Sequence, residues 1–101
     1  MTIELRDYAI AAGHLDQFVE EWRQQVVPIR RAHGYRIEAA WKVPAEDRFV
    51  WLLSLGVPAS EWEARNDVYY ADPARLAVDP DPARLVEAQR RVLVEAVDPQ
   101  G

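Results

Sequence analysis

A chain of 101 residues, half of them apolar, supplies one modest core and not two, so residues 1–101 are expected to form a single domain. Its net charge of -5 works on average against phosphate backbones and anionic membranes, which leaves no nucleic acid and no membrane among the expected partners. Without cysteine there is no disulfide, no thiolate metal ligand and no cysteine nucleophile.

From Thr2 to Ala11 the chain alternates as a strand does, with Ile3, Leu5 and Ala9 on one face and Arg6, Tyr8 and Ile10 on the other; Gly13 closes it. The early charges at Glu4, Arg6 and Asp7 are unlike a signal peptide, and no apolar run approaches the roughly 18 residues of a membrane helix, so a cytoplasmic protein is expected. Between His14 and Ala32 the apolar residues Leu15, Phe18, Val19, Trp22 and Val26 follow helical spacing. That pattern predicts an amphipathic helix with Glu20, Glu21, Arg23 and Gln24 outward, a kink or end at Pro28 and a stop at Gly34.

Tyr35, Ile37, Ala39, Trp41 and Val43 then alternate with Arg36, Glu38 and Lys42, the pattern of a strand with one covered face. Pro44-Ala45-Glu46-Asp47 reads as a hairpin turn, and the run Phe49 to Leu55, apolar at both parities, as a central strand buried on both faces. Pro58 and Ser60 open a second helix carrying Trp62, Val68, Tyr69 and Tyr70, with Ser60 as the expected N-cap, Glu63 three residues on, and Asp72-Pro73 as the stop. Asp72-Pro73-Ala74-Arg75-Leu76 recurs as Asp81-Pro82-Ala83-Arg84-Leu85, which predicts two local helix openings, each with Asp as cap and Pro at the first helical position. Residues 87–97 combine helix-favouring composition with alternation at Val92, Val94 and Ala96. A strand is preferred there because it completes a β-α-β-β-α-β order, a known two-layer α+β arrangement.

Two helices cover only one face of a four-stranded sheet, yet the strand from Phe49 to Leu55 asks for apolar neighbours on both. A second copy of the same sheet is the economical cover, since a domain of this size has little stability to spare and most soluble oligomers are closed homo-oligomers. The alternative is that Val50 and Leu52 contribute to a weakly apolar exposed face.

The stretch Ile3-Glu4-Leu5-Arg6-Asp7-Tyr8 with Gly13, the span from Trp22 through Pro28 to His33-Gly34, then Trp41 and Phe49-Val50-Trp51, resemble the NIPSNAP family. Tyr69-Tyr70 with Arg75 and Asp79-Pro80 extend the resemblance over most of the chain. It implies a ferredoxin-like protomer whose sheet packs on that of its partner, a dimeric α+β barrel with helices outside. It brings no catalytic residues with it, because the family has none agreed. The wider superfamily is similar in fold to cofactor-free monooxygenases, haem-degrading enzymes, chlorite dismutase-like proteins and small-molecule isomerases, a breadth that does not establish an activity.

Four tryptophans and four tyrosines in so short a chain are the most suggestive feature. Tyr8, Trp22, Trp41, Trp51, Tyr69 and Tyr70 fall on expected strands or helix faces, where they are candidates to line a small-molecule pocket between sheet and helices, against the plainer reading that they fill core and interface. Arg6, Arg75 and Arg84 suit an anionic group, with ordinary ion pairing to Asp and Glu the preferred reading. His14 and His33 lack the spacing of a metal pair, so no metal site is expected; His33 is placed to interact with a helix C-terminus. Ser54 and Ser60 support no triad, and four scattered glycines make no phosphate cradle. The functional expectation is a homodimer binding an apolar or aromatic small molecule without a cofactor, as a cofactor-independent oxygenase or isomerase; the rival is a non-catalytic accessory dimer.

Overall fold

In the computed structural model, which describes residues 1–101, the first strand β1 (Thr2–Ile10) alternates without a break: Thr2, Glu4, Arg6, Tyr8 and Ile10 are buried and the residues between them half-buried. The face holding the charged pair Glu4 and Arg6 is thus the one the helices cover.

The first helical stretch has three parts, α1 (Leu15–Glu21), a π-helical turn (Trp22–Val26) and α2 (Val27–Ala32). Pro28 has no N–H for the residue four earlier, and its ring crowds that residue's carbonyl, which strains a regular helix. The π turn takes up the misfit. The Val27 N–H donates to the Trp22 carbonyl five residues back, and the helix continues to Ala32. It stops at Gly34, with φ of 88°, where the Tyr35 N–H donates to the Arg30 carbonyl (3.1 Å) and the Gly34 N–H to that of Arg31 (2.9 Å).

β2 (Arg36–Val43) and β3 (Arg48–Leu55) form a hairpin around the 3-10 turn Pro44–Glu46, closed by Asp47 in the left-handed region. α3 (Trp62–Ala71) follows a 3-10 turn, Ala59–Glu61. Ser60 does not cap it: it lies inside that turn, where its own backbone is already helical, whereas a cap needs the extended conformation that Pro58 adopts. The twin Asp-Pro segments behave as expected, opening α4 (Pro73–Leu76) and the 3-10 turn Pro82–Leu85. The Asp72 carboxylate accepts from the Ala74 N–H (2.8 Å) and that of Asp81 from the Ala83 N–H (2.9 Å). β4 (Val86–Val94) is a strand.

The strands pair antiparallel in the order β2-β3-β1-β4, the ferredoxin-like α+β arrangement. Between sheet and helices the core is largely aromatic: Trp22 meets Phe49 and Trp51 edge-on at centroid distances of 4.8 and 5.4 Å, and Phe18 meets Phe49 and Tyr8 at 5.2 and 5.9 Å.

The other face of the sheet carries no helix. Register places Leu5 opposite both Leu52 and Val92, Ile3 opposite Val94, and Trp41 opposite Val50, all projecting from this open face. The expectation that β3 is buried on both faces is met only on the helix side, by Phe49, Trp51, Leu53 and Leu55; on the open face Val50 and Leu52 are half-buried and Ser54 alone is buried, because no helix covers that side. The chain is 19 Å deep along its shortest axis, one sheet and one layer of helices.

Candidate functional site

β1 delivers Arg6 and Tyr8 to the helix side of the sheet, β3 delivers Trp51, the π turn and α2 deliver Trp22 and Arg30, and α3 delivers Tyr69 and Tyr70. α4, started by the Asp72 cap, adds Arg75. These side chains surround a cavity of about 430 Å³, whose rim includes the exposed residues Ala83, Glu87 and Gln89 beside the edge strand β4. That volume lies within the range of small-molecule sites, about 300–1,000 Å³.

Aromatic rings and guanidinium groups alternate on the cavity wall, with Arg6 5.7 Å from the centroid of the Trp51 ring and Arg30 5.2 Å from that of Tyr70. Arg6 Nε donates to Glu4 Oε1 at 2.5 Å, and the same carboxylate accepts from Trp62 Nε1 (2.9 Å) and Arg91 Nη2 (3.1 Å). Arg6 Nη1 also donates to the hydroxyl oxygens of Tyr70 (2.8 Å) and Tyr8 (3.3 Å). Arg30, only 1 % exposed, has no carboxylate partner; it donates from Nη1 to Asn66 Oδ1 (2.7 Å) and from Nη2 to the Tyr70 hydroxyl (3.2 Å). Its guanidinium lies 3.7 Å from the centroid of the Tyr69 ring and 4.7 Å from that of Tyr35, so aromatic faces stand where a carboxylate would ordinarily be. Arg75 pairs with Asp81 at 3.1 Å.

The charges act on one another. Burial alone would raise the Glu4 carboxyl, but Arg6, Arg91 and Trp62 outweigh it and hold it below the usual range. Burial likewise works against the Arg6 charge, yet Tyr8, Tyr70 and Glu4 keep it firmly protonated. For Arg30, which has no carboxylate, burial first and then the charge of Arg6 lower its hold on its proton, and Tyr70, Tyr69 and Tyr35 only partly offset them. Tyr70 is the one phenol moved downward, because Arg6 and Arg30 overcome the effect of burial; Tyr35 and Tyr69 are pushed upward by burial. Arranged this way, the Tyr70 oxygen receives two guanidinium donors, a geometry suited to a proton donor that readily becomes a phenolate.

Of the six aromatic residues expected to line a pocket, Tyr8, Trp22, Trp51, Tyr69 and Tyr70 do so. Trp41 does not: it is 51 % exposed on the open face of the sheet. Arg6 and Arg75 line the cavity while also forming ion pairs, whereas Arg84 pairs with Glu21 at the surface. Arg30, Asn66 and Glu4 were not singled out in the sequence. His33, at the end of α2, forms a 2.7 Å pair with Asp72 that ties this helix to the start of α4, and His14 is exposed. No group of His, Asp and Glu side chains is arranged to hold a metal ion, and no helix is long and apolar enough to cross a membrane.

No protein-family model matches the chain, and no curated protein does. Solved structures do. An uncharacterised NIPSNAP domain protein from Burkholderia xenovorans superposes with a TM-score of 0.81 at 22 % identity, over 96 % of this chain and 95 % of that one. A NIPSNAP family protein from Agrobacterium tumefaciens gives 0.82 at 14 % identity, over 96 % and 93 %. This chain has the NIPSNAP fold. An antibiotic biosynthesis monooxygenase is also similar, with a TM-score of 0.67 at 17 % identity over 97 % of this chain and all of that one. At such identities the likeness is one of fold, and the NIPSNAP-like sheet and helices are what the chains share.

Proposed function

We propose that this NIPSNAP-like protein binds a flat, largely apolar small molecule in the cavity between its helices and sheet, and that it works as a homodimer joined through the open sheet face. The observation that carries the first part is the cavity itself, about 430 Å³, with Tyr8, Trp22, Trp51, Tyr69 and Tyr70 on its walls. A filled aromatic core would need none of that space. The half-buried apolar face around Leu5, Leu52 and Val92 supports the second part.

The Tyr70 phenol with Arg6 and Arg30 favours proton-transfer chemistry on such a ligand. A phenol between two guanidiniums can take up or return a proton, while the guanidiniums stabilise an oxyanion, which are the steps of an isomerase or of an oxygenase that first ionises its substrate. Activity of this class needs no cofactor. The fold likeness to an antibiotic biosynthesis monooxygenase is compatible with it. The test is a panel of flat aromatic compounds titrated against tryptophan fluorescence, with Trp22→Phe and Trp51→Phe variants. Saturable quenching that weakens in the variants without loss of fold is the expected result. Failure of every compound to quench would leave the accessory-dimer reading.

A further inference from the structure

Three formal charges are fully buried in the protomer, and they do not cancel: Arg6 and Arg30 are cations and Glu4 is the single anion. Glu4 is engaged by Arg6 and Arg91, and Asp81 by Arg75, so each of these guanidiniums has a carboxylate and Arg30 has none. Glu87, the one acidic residue of the cavity wall, sits on the exposed rim. A buried unpaired cation costs several kcal/mol, and proteins retain one where a counter-charge arrives from elsewhere. We infer that the ligand of this cavity is a planar organic monoanion, an aromatic carboxylate or its equivalent, whose negative group lies against Arg30.

A second, independent observation points the same way. Five cavity-lining residues hold buried polar atoms with no hydrogen-bond partner in the protein: Trp22 Nε1, Trp51 Nε1, Arg30 Nε, Arg75 Nε and the Tyr69 hydroxyl. Four of these are donors that cannot accept. None of these atoms is open to the cavity; they leave the region behind its wall short of acceptors, an electropositive surround that favours an anionic ligand such as a carboxylate. The excess of one charge selects a monoanion over a phosphate dianion, and the edge-on indole and phenol rings select a flat body over a branched one. Burial and Arg6 both weaken the Arg30 charge, and an anion would relieve that strain.

This inference rests on the pocket reading above, and the experiment separates the two. The probes are 2-naphthoate and its uncharged near-isostere 2-naphthamide, titrated into the unaltered protein at neutral pH and low salt, with binding read by calorimetry. Naphthoate is expected to bind at least about tenfold more tightly, the yield of one charge-assisted contact. In Arg30→Met that preference should vanish while naphthamide affinity stays within about twofold, and Arg30→Lys should keep part of it. Equal affinities in the unaltered protein would overturn the anion inference and leave the pocket standing. Binding of neither compound would overturn both. Because the comparison is made first on the unaltered protein, it stands whether or not the Arg30 variants fold.

Discussion

Replacing Glu4 by Gln tests the buried charge network directly. The substitution keeps the shape of the side chain but removes the single buried anion, and it puts an amide NH₂ where one carboxylate oxygen now accepts from Arg6 or from Trp62 and Arg91. Donor then faces donor, and the two buried guanidiniums, which share the Tyr70 hydroxyl, are left with no buried compensating charge. Breaking a buried pair on one side typically costs about 3–5 kcal/mol, against a total stability of about 5–15 kcal/mol for a domain. Urea denaturation at pH 7 should therefore show a loss of about 4 kcal/mol. Adding Arg30→Met should return part of that loss by removing the second unpaired cation, so the double variant should be more stable than Glu4→Gln alone. A Glu4→Gln protein within about 0.5 kcal/mol of the parent, the usual range for surface changes, would refute the reasoning.

Acid should destabilise the protein in the window below the ordinary Glu value of about 4.3, because Glu4 and Asp81 have lowered folded-state values and their contribution is lost as pH falls through them; urea midpoints at pH 7, 5 and 3 check this. In an ultraviolet titration one tyrosine should ionise below its ordinary value and disappear in Tyr70→Phe, while Tyr35 and Tyr69 ionise later; a Tyr70→Phe titration identical to that of the parent would count against the two-arginine geometry. Leu52→Asp should dissociate the proposed dimer or unfold the chain, since the open face would have to bury an unpaired carboxylate, and unchanged mass and melting temperature would show that nothing covers it.

The fold was legible because period-two alternation in β1 and the helical spacing from Leu15 to Val26 are dictated by burial, which the sequence records directly; in β2 a bulge breaks the expected one-face alternation, and the second apolar parity of β3 is only half-buried. Even the ambiguous last segment was settled by topology, and it is the strand β4. The site was half legible. Large rings on inward faces could be recognised as pocket candidates, but Trp41 could not be told from the others, because the bulge between Ile37 and Ala39 leaves it opposite Val50 on the far face. Arg30 was missed for a different reason. A cation beside two helix-end residues looks like a solvated charge, and only the fold brings Tyr69, Tyr70 and Asn66 over it. One compositional signal was present: eleven of the twelve basic residues are Arg and only Lys42 is Lys, a bias that suits planar, stacked and forked contacts.

The π turn at Trp22–Val26 bears on how this chain compares with others. A helix that closes one ring with a five-residue step holds one residue more than its span requires, so the turn is equivalent to an insertion absorbed in place. A homologue whose helix is regular throughout would reach the equivalent of Arg30 one position sooner. Aligning the two without a gap between Trp22 and Val26 would set the second half of the helix out of phase and match Arg30 with the wrong neighbour. Removing the exposed Gln24 together with Pro28→Ala should yield a regular helix that still presents the same guanidinium to the cavity.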